Sequence, residues 1–495
     1  MGWVGGTIDL TLDWRGYLVG ANRHDASDGQ GKTSDHAAGT QAPVFDPMTL
    51  FHRPVPIKTA AEALAAANAA PAPDKTSKTC PANPEYEALI DAAARNIYEP
   101  KDLGDINSLK HKFDCDIHSR DDVYKFADAS LWAAGDGYAH AMQPAEAKQF
   151  DRQLNGKFTG IGLEIAPAKA AGYADAPSNT VVNRPLPGKP AEQAGFQKGD
   201  AIVKVDGTDV HALPPADVAN RITDGVPGSK VDIVIDRQGT QLEKIVTRQA
   251  IVAEPVVHDK DLGDGIAYIK IDNFGNSTEA AQLEAALDRQ KNARAFVIDV
   301  RDNPGGLVDQ SLKSAQLFVK SGVLMTSKQR YNSDPSKPGY NNVIDRITPT
   351  GLEHVVTDSA TGESHTYNSG RLPYKIGDRP VIVLTNEKSA SASEIFTGAV
   401  HDTAHDTTLG TTTFGKGIGQ NVIKGIDGGG YLKITALHYL TPSGAWPGDA
   451  DKHKYGLKED IHVENPPGTV LGSPADTQLN TAVAVVKDRL QKTGH

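Results

Sequence analysis

Two short apolar runs, AFVIDV at 295–300 and VIVLT at 381–385, constrain the fold of this chain most. Neither run alternates apolar with polar residues, so each is expected to be a strand buried on both faces. Helical periodicity appears at Ser277–Gln290, Val308–Val319 and Ser393–Val400. This repeated strand–helix spacing predicts a mainly parallel sheet covered by helices on both faces. In such sheets the chemistry lies in loops beyond the carboxyl ends of the strands, here RDNPGG and NEKSAS.

We expect four segments along the chain. Residues 1–83 are predicted to be a low-complexity extension or linker, because Gly, Ser, Asp and His, and later Ala and Pro, dominate them. Residues 84–155 are predicted to be a helical region, since apolar residues recur at helical spacing. Residues 156–252 carry short β runs separated by glycines, which is typical of a compact α+β module. With an α/β core at 253–495, the expected fold class is multidomain, α/β and α+β.

Charge and composition exclude several classes of protein. The 495-residue chain is too long for one hydrophobic core. Its 51 Lys and Arg against 62 Asp and Glu give a net charge of 51 − 62 = −11, which does not favour nucleic acid as a partner. No apolar run reaches 18 residues, so we expect no membrane span.

The start of the chain and its cysteines bear on the compartment. MGWVGGTIDLTLDWRG lacks the basic and apolar stretches of a secretory signal, so either the protein stays inside or the native precursor starts differently. Cys80 and Cys115 can form one disulfide or remain two buried thiols, and the sequence leaves both alternatives open.

The segment NEKSASASEIF places Ser389, Ser391 and Ser393 between a buried strand and a helix. Its small residues allow a tight turn that exposes a side chain beside a helix N-terminus, which suits a nucleophile. The alternative is a capping box, with Ser391 as the cap and Glu394 three positions later. The serines alone do not decide between these interpretations.

The segment TTTFGKGIGQ contains a candidate base for such a serine. Lys416 lies between two glycines with few charges nearby, so its amine can be desolvated. Its reference pKa is near 10.4 and a general base needs about 7 to 8, a difference of about 4 kcal/mol that burial can supply. Gln420 lies on the same strand face and can orient the amine, provided that side chains separated by about 13 Å of straight strand converge. The alternative is a solvated lysine in a glycine hairpin.

Four segments in this order, RDNPGG, SASASEI, TFGKGIGQ and LKITALHYLTPSG, resemble those of the carboxyl-terminal processing (tail-specific) serine peptidases. The resemblance covers Tyr86–Val463. It implies a crotonase/ClpP-like α/β peptidase core with an inserted PDZ-like domain and an N-terminal helical region. It selects Ser391 as nucleophile, Lys416 as base, 416 − 391 = 25 residues later, and Gln420 as the orienting residue.

The resemblance also assigns backbone groups. The oxyanion hole would use the N–H of Ala392 and one from the Gly305–Gly306 pair, where glycine permits close approach. The PDZ-like stretch at 156–252 contains FTGIGLEI, similar to a carboxylate-binding loop in which the N–H groups of successive residues face a chain terminus. The residues concerned are Gly160, Ile161, Gly162 and Leu163, and the two apolar members imply apolar C-terminal residues in the substrate.

The expected function is an endopeptidase that recognises apolar C-terminal tails of proteins and cleaves through an acyl-enzyme, with no cofactor and no metal. Relatives usually act outside the cytoplasm, so the resemblance implies an extracytoplasmic location, periplasmic or secreted. It leaves a homo-oligomer or an adaptor protein open.

Two other functions compete with this one. The first is a PDZ scaffold with a degenerate peptidase domain, against which the intact Ser391, Lys416 and Gln420 argue. The second is a metal-dependent hydrolase, because His401 and His405 in HDTAH have the spacing of a zinc motif. No third ligand is evident for it in the sequence.

Overall fold

The computed structural model describes residues 80–155, 157–252, 255–331, 335–426, 428–449 and 453–493. These residues divide into two compact units, of which the second, Gln143–Glu254, is inserted into the sequence of the first. The multidomain fold class, with α/β and α+β parts, is confirmed. The predicted linker lies outside the described residues as far as residue 79, and the boundaries between the four predicted segments stay a prediction. None of the described helices is both long and apolar enough to cross a membrane.

The first unit begins with a helical region that a disulfide between Cys80 and Cys115 closes, with 5.3 Å between the Cα atoms. Asn83 accepts a hydrogen bond from the N–H of Tyr86 and so caps the first helix. Apolar side chains of these helices pack together and against a later strand, Tyr431–Leu440. The elements are α1 (Pro84–Asn96), a 3₁₀ turn (Pro100–Leu103), α2 (Ile106–Lys110), α3 (Arg120–Ala133) and the strand β1 (His140–Met142).

The second unit is an antiparallel sheet in the order β3-β4-β5-β7-β8, with β6 on β5 and a separate β2–β9 ribbon. Its core contains apolar strand residues together with three helical ones, Ala191, Val218 and Ile222. The elements are α4 (Pro144–Asn155), β2 (Lys157–Gly160), β3 (Leu163–Pro167), β4 (Thr180–Pro185), α5 (Pro190–Gln193), β5 (Ala201–Val205), β6 (Thr208–Asp209), α6 (Pro215–Thr223), β7 (Lys230–Arg237), β8 (Thr240–Thr247) and β9 (Gln249–Val252).

The predicted parallel sheet lies at the centre of the first unit. Its order is β10 (Val257–Asp261), β11 (Ile266–Ile271), β12 (Ala295–Asp299), β17 (Val381–Thr385), β18 (Thr407–Gly410) and β21 (Ile461–His462), and only β10 is antiparallel. Alternate residues of β12 face opposite cores, so the sheet is covered on both sides, as expected. The covering helices are α7 (Glu279–Arg289), α8 (Val308–Gln316) and α9 (Ala392–Ala404) on one face and α10 (Thr477–Thr493) on the other.

A second sheet of the first unit was not predicted from the sequence. It is antiparallel, in the order β1-β20-β13-β14-β15-β16, with β19 also paired to β20. The new strands are β13 (Gly322–Arg330), β14 (Tyr340–Thr348), β15 (Gly351–Asp358), β16 (Ser364–Asn368), β19 (Ile418–Ile423) and β20 (Tyr431–Leu440). Through β19 and β20 this sheet carries Gln420 close to the end of the parallel sheet.

Candidate active site

The turn between β17 and α9 leaves one serine hydroxyl unused. Ser389 Oγ donates to the carbonyl of Val300 and Ser393 Oγ to that of Asn303, both at 2.8 Å. Ser391 Oγ has no hydrogen-bond partner in the described part of the chain, although the side chain is 0% exposed. Its φ of +65° places a non-glycine residue in the left-handed region, a strain of about 1–3 kcal/mol that is common at functional sites.

The RDNPGG loop lies directly against this turn. A Cβ on Gly305, at φ +99°, would be 2.6 Å from the carbonyl oxygen of Ala390 and 2.9 Å from the nitrogen of Ala392, so only glycine fits. The N–H of Gly305 donates to Asn303 Oδ1 at 2.9 Å and is therefore occupied. Of the two glycines predicted to form the oxyanion hole, this leaves Gly306 as the better donor.

Lys416 is fully buried, at 0% exposure. Its Nζ donates to Gln420 Oε1 at 3.5 Å and lies 3.8 Å from the centroid of the Tyr138 ring. The pairing of β19 with β20 shifts register between Gly419 and Gln420. At this irregularity the side chains of Lys416 and Gln420 converge, which a straight strand would not allow. The solvated-lysine alternative is therefore wrong for this structure.

Glu394 ties the nucleophile turn to the lysine loop. Its Oε2 accepts from the backbone N–H of Ser391 at 2.7 Å and from that of Lys416 at 2.8 Å, and its Oε1 accepts from the N–H of Gly415 at 2.8 Å and from Thr413 Oγ1 at 2.6 Å. Burial raises the pKa of the Glu394 carboxyl, and these four donors oppose the rise. The Glu394 side chain thus links its own turn to the backbone of Lys416, 22 residues later.

Tyr439 provides a second link between the same loops. Its hydroxyl donates to the carbonyl of Ser391 at 3.1 Å and to that of Lys416 at 2.8 Å. Tyr439 and Glu394 therefore each hydrogen-bond to the backbone of both loops. The amine and the Ser391 hydroxyl do not hydrogen-bond in this structure, since Ser391 Oγ is unpartnered.

The sequence predicts Ser391, Lys416 and Gln420 as site residues, but it does not predict the contacts that three other side chains make with them. Glu394 was recognised only as half of a capping box, and its contacts with the lysine loop were not foreseen. Tyr138 and Tyr439 were missed altogether, because no local spacing marks a contact such as that of Tyr138 with Gln420, 282 residues later.

The candidate carboxylate-binding loop lies between β2 and β3 of the second unit. The side chain of Ile161 is 1% exposed and packs in the core of the unit. The carbonyls of Ile161 and Gly162 accept hydrogen bonds from the N–H groups of Ala191 and Leu186. Leu163 is half-buried at the start of β3, and Gly160, which ends β2, is buried.

The proposed metal ligands His401 and His405 do not form a metal site. The His401 ring is hydrogen-bonded to Asp402 at 2.7 Å and to Asp460 at 3.2 Å. His405 caps the end of α9 at φ +61°, so it has left the helix face that the zinc motif requires. Among the described residues, no group of three or more His, Cys, Asp or Glu side chains is arranged to hold a metal ion.

Comparison with known proteins identifies two domains in the chain. Residues 265–463 match peptidase family S41 and residues 181–237 match the PDZ domain. The chain is 29% identical over 376 residues to the carboxyl-terminal-processing protease of Synechocystis sp., covering 74% of this chain and 77% of that protein. It is 28% identical over 369 residues to the carboxy-terminal processing protease CtpA of Bacillus subtilis, covering 73% and 69%.

Among solved structures, the chain is similar to a photosystem II D1 C-terminal processing protease. The identity is 25%, the match covers 80% of this chain and 98% of that chain, and the TM-score is 0.42. The family matches and the curated relatives agree with one another, and the chain is a serine-type carboxyl-terminal processing peptidase with a peptidase family S41 domain and a PDZ domain.

Proposed function

We propose that this enzyme cleaves proteins through a Ser391–Lys416 pair after its PDZ unit has bound an apolar C-terminal tail. The observation that carries the proposal is a buried, unbonded serine hydroxyl on a strained turn, tied through Glu394 to a buried lysine. Burial favours the neutral amine that a general base must be.

In the first step, the neutral amine of Lys416 takes the proton of Ser391 Oγ while this oxygen bonds to the scissile carbonyl carbon. The amine contacts Gln420 here, so it must first move towards Ser391. The N–H groups of Gly306 and Ala392 then stabilise the oxyanion, and Gly305 allows the close approach. Breakdown of the tetrahedral intermediate breaks the peptide C–N bond, and the leaving amine takes the proton from Lys416. Water hydrolyses the resulting acyl-enzyme by the same route.

The tail would bind to the PDZ unit as an added strand. β3 pairs only with β4 among the described strands, so its other edge is open, and α6 packs close to it. The N–H groups of Gly160, Ile161 and Gly162 would receive the terminal carboxylate. Leu163 would contact the last apolar side chain of the tail.

We infer an extracytoplasmic location. The disulfide between Cys80 and Cys115 suits an oxidising compartment, since reducing systems keep such thiols apart in the cytoplasm. Recovery of the oxidised protein from a periplasmic or secreted fraction supports this inference. Recovery only from the cytoplasm, with both thiols reduced, contradicts it.

Substitutions at the pair test the proposal directly. Ser391→Ala and Lys416→Arg should each lower kcat by about 10³-fold or more on an unfolded protein with an apolar tail. The first variant lacks the nucleophile, and in the second the arginine cannot deprotonate and so cannot act as a base. Lys424→Arg, at an exposed lysine, is the control and should keep full activity. Mass spectrometry of the quenched wild type should show an acyl-enzyme on Ser391. Full activity of either site variant refutes the pair, and an inactive wild type supports the scaffold.

Exchange of the substrate's terminus tests the tail preference. Replacing the last apolar residue with aspartate should raise KM by about tenfold and change kcat little, because the scissile region is untouched. Equal KM for both substrates contradicts recognition of an apolar tail.

A further inference from the structure

The structure places one aromatic residue against both the candidate base and its orienting partner. The ring of Tyr138 lies 3.8 Å from Lys416 Nζ, measured to the ring centroid, and its carbonyl accepts from Gln420 Nε2 at 2.6 Å. Tyr138 belongs to the segment between α3 and β1, far away in sequence. Nothing in the reaction steps above uses it.

The two contacts have different physical effects. The face of an aromatic ring attracts an ammonium group, and its apolar surface keeps water away from the amine. The hydrogen bond from Gln420 Nε2 to the Tyr138 carbonyl fixes which way the amide is turned. With its nitrogen occupied, Gln420 presents Oε1 to the lysine, as the 3.5 Å contact records.

The segment that carries Tyr138 is itself anchored at the site. Asp136 accepts from the N–H of Tyr138 at 3.2 Å and from both the N–H and the hydroxyl of Thr435 at 2.8 Å. Thr435 on β20 is the register partner of Gln420 on β19. The Tyr138 ring and the Gln420 amide are therefore both held next to the same residue, Thr435.

We infer that Tyr138 is a positioning residue for Lys416: its ring is the resting seat of the amine and its carbonyl orients Gln420. The inference rests on the proposed role of Lys416 as base. The contact with a flat aromatic face is weak and non-directional, so the amine can leave this seat for Ser391. Loss of the ring displaces the base and slows the chemical step, whereas substrate binding in the PDZ unit is not affected.

Ring-retaining and ring-removing substitutions test this role. Tyr138→Phe keeps the seat and should leave kcat within about twofold, because the ring face is unchanged. Tyr138→Leu should lower kcat at least about tenfold with KM unchanged, since small displacements of a catalytic group are costly. Tyr340→Leu is the matched control, because Tyr340 also has a lysine amine, Lys328 Nζ, 4.5 Å from its ring centroid. It should keep wild-type kcat.

The outcomes separate this inference from the proposed function. Wild-type kcat in Tyr138→Leu overturns the inference if Lys416→Arg, measured in parallel, is inactive. Activity in Lys416→Arg overturns the proposed function instead. A rise in KM alone, or equal loss in the Phe and Leu variants, also contradicts a seat made by the ring. If thermal melts show Tyr138→Leu unfolded, Tyr138→Met, which fills the space with a flexible apolar chain, gives the same test.

Discussion

Two serines of the peptidase unit have opposite surroundings. Ser391 Oγ has no hydrogen-bond partner in the described chain, and its candidate base is a lysine. Ser369 Oγ lies 2.6 Å from His354 Nε2, and His354 Nδ1 lies 2.5 Å from Asp345 Oδ1. By connectivity alone, the second serine looks more like the Ser–His–Asp arrangement of hydrolases.

The backbone N–H groups of Ser369 and Gly370 are not available to bind an oxyanion. Its own N–H donates to the carbonyl of Leu352, and the N–H of Gly370 donates to Asn368 Oδ1 at 2.8 Å. Burial raises the pKa of the Asp345 carboxyl, whose Oδ2 has no partner in the described chain, whereas a triad needs a firmly ionised carboxylate. The two serines therefore differ in their backbone donors and backbone strain, and both differences favour Ser391 as the nucleophile that we propose.

The sharpest test of this difference uses the glycine beside each serine. Gly305 and Gly370 both have positive φ, +99° and +81°, but a Cβ would clash only at Gly305, 2.6 Å from a backbone oxygen. Gly305→Ala should lower kcat/KM about 10³-fold, because the shift moves Ser391 and the N–H donors. Gly370→Ala should keep activity within about twofold and cost about 1 kcal/mol of stability. Steady-state kinetics with active-site titration measures both, and equal losses would remove the distinction.

His354 is predicted to matter for stability and not for catalysis. Asp345 and His354 are cross-strand partners on β14 and β15 and are 0% and 4% exposed. His354→Ala leaves the Asp345 carboxyl buried without this partner, so the free energy of unfolding should fall by about 3 kcal/mol. Denaturant titration measures the loss, and kcat per titrated site should not change. A lower kcat in a variant of normal stability would make this cluster a second catalytic centre.

The Asp345–His354 pair also explains why the second sheet was not predicted from the sequence. In β14 the inward positions alternate as Asn341, Val343, Asp345 and Ile347, so two polar residues occupy core positions and conceal the alternation. The partner of Asp345, His354, is on another strand, and no local pattern indicates this contact. The parallel strands were predictable because AFVIDV and VIVLT are apolar throughout.

The candidate site was predictable to a similar, limited extent. The strand-to-helix turn and the family resemblance selected Ser391, and the spacing to Lys416 followed from the same motifs. The seat made by Tyr138 and the links through Glu394 and Tyr439 depend on contacts between distant segments. Such contacts exist only once the two sheets are in place.

A smaller effect is expected from the Ser369 hydroxyl itself. Ser369→Ala removes one hydrogen bond from His354 at an exposed position, so we expect a loss of about 0.5–1 kcal/mol and unchanged peptidase activity. A fluorophosphonate should label the wild type and Ser369→Ala equally, and should not label Ser391→Ala. Labelling of Ser391→Ala that disappears when Ser369 is also replaced would show that a bonded triad suffices for reactivity.

The smallest predicted effect is a pH dependence at the other end of α9, where a histidine again meets carboxylates but near the surface. Hydrogen bonds to Asp402 and Asp460 raise the pKa of His401 to about 9 against its usual 6.5, although partial burial opposes the rise. Because the folded-state pKa is raised, this stabilisation is complete below pH 6.5 and is lost as the pH rises through 9.

The His401 side chain is 37% exposed, so solvent screening limits the effect to about 0.5 kcal/mol. His401→Gln should therefore be less stable than wild type at pH 6 and equal to it at pH 10. Burial raises the pKa of the nearby Asp406 to about 7 and the His401 charge opposes this rise, so Asp406 also contributes to the difference between wild type and variant. A constant difference between wild type and His401→Gln across this range would mean that the exposed pair contributes nothing through its charge.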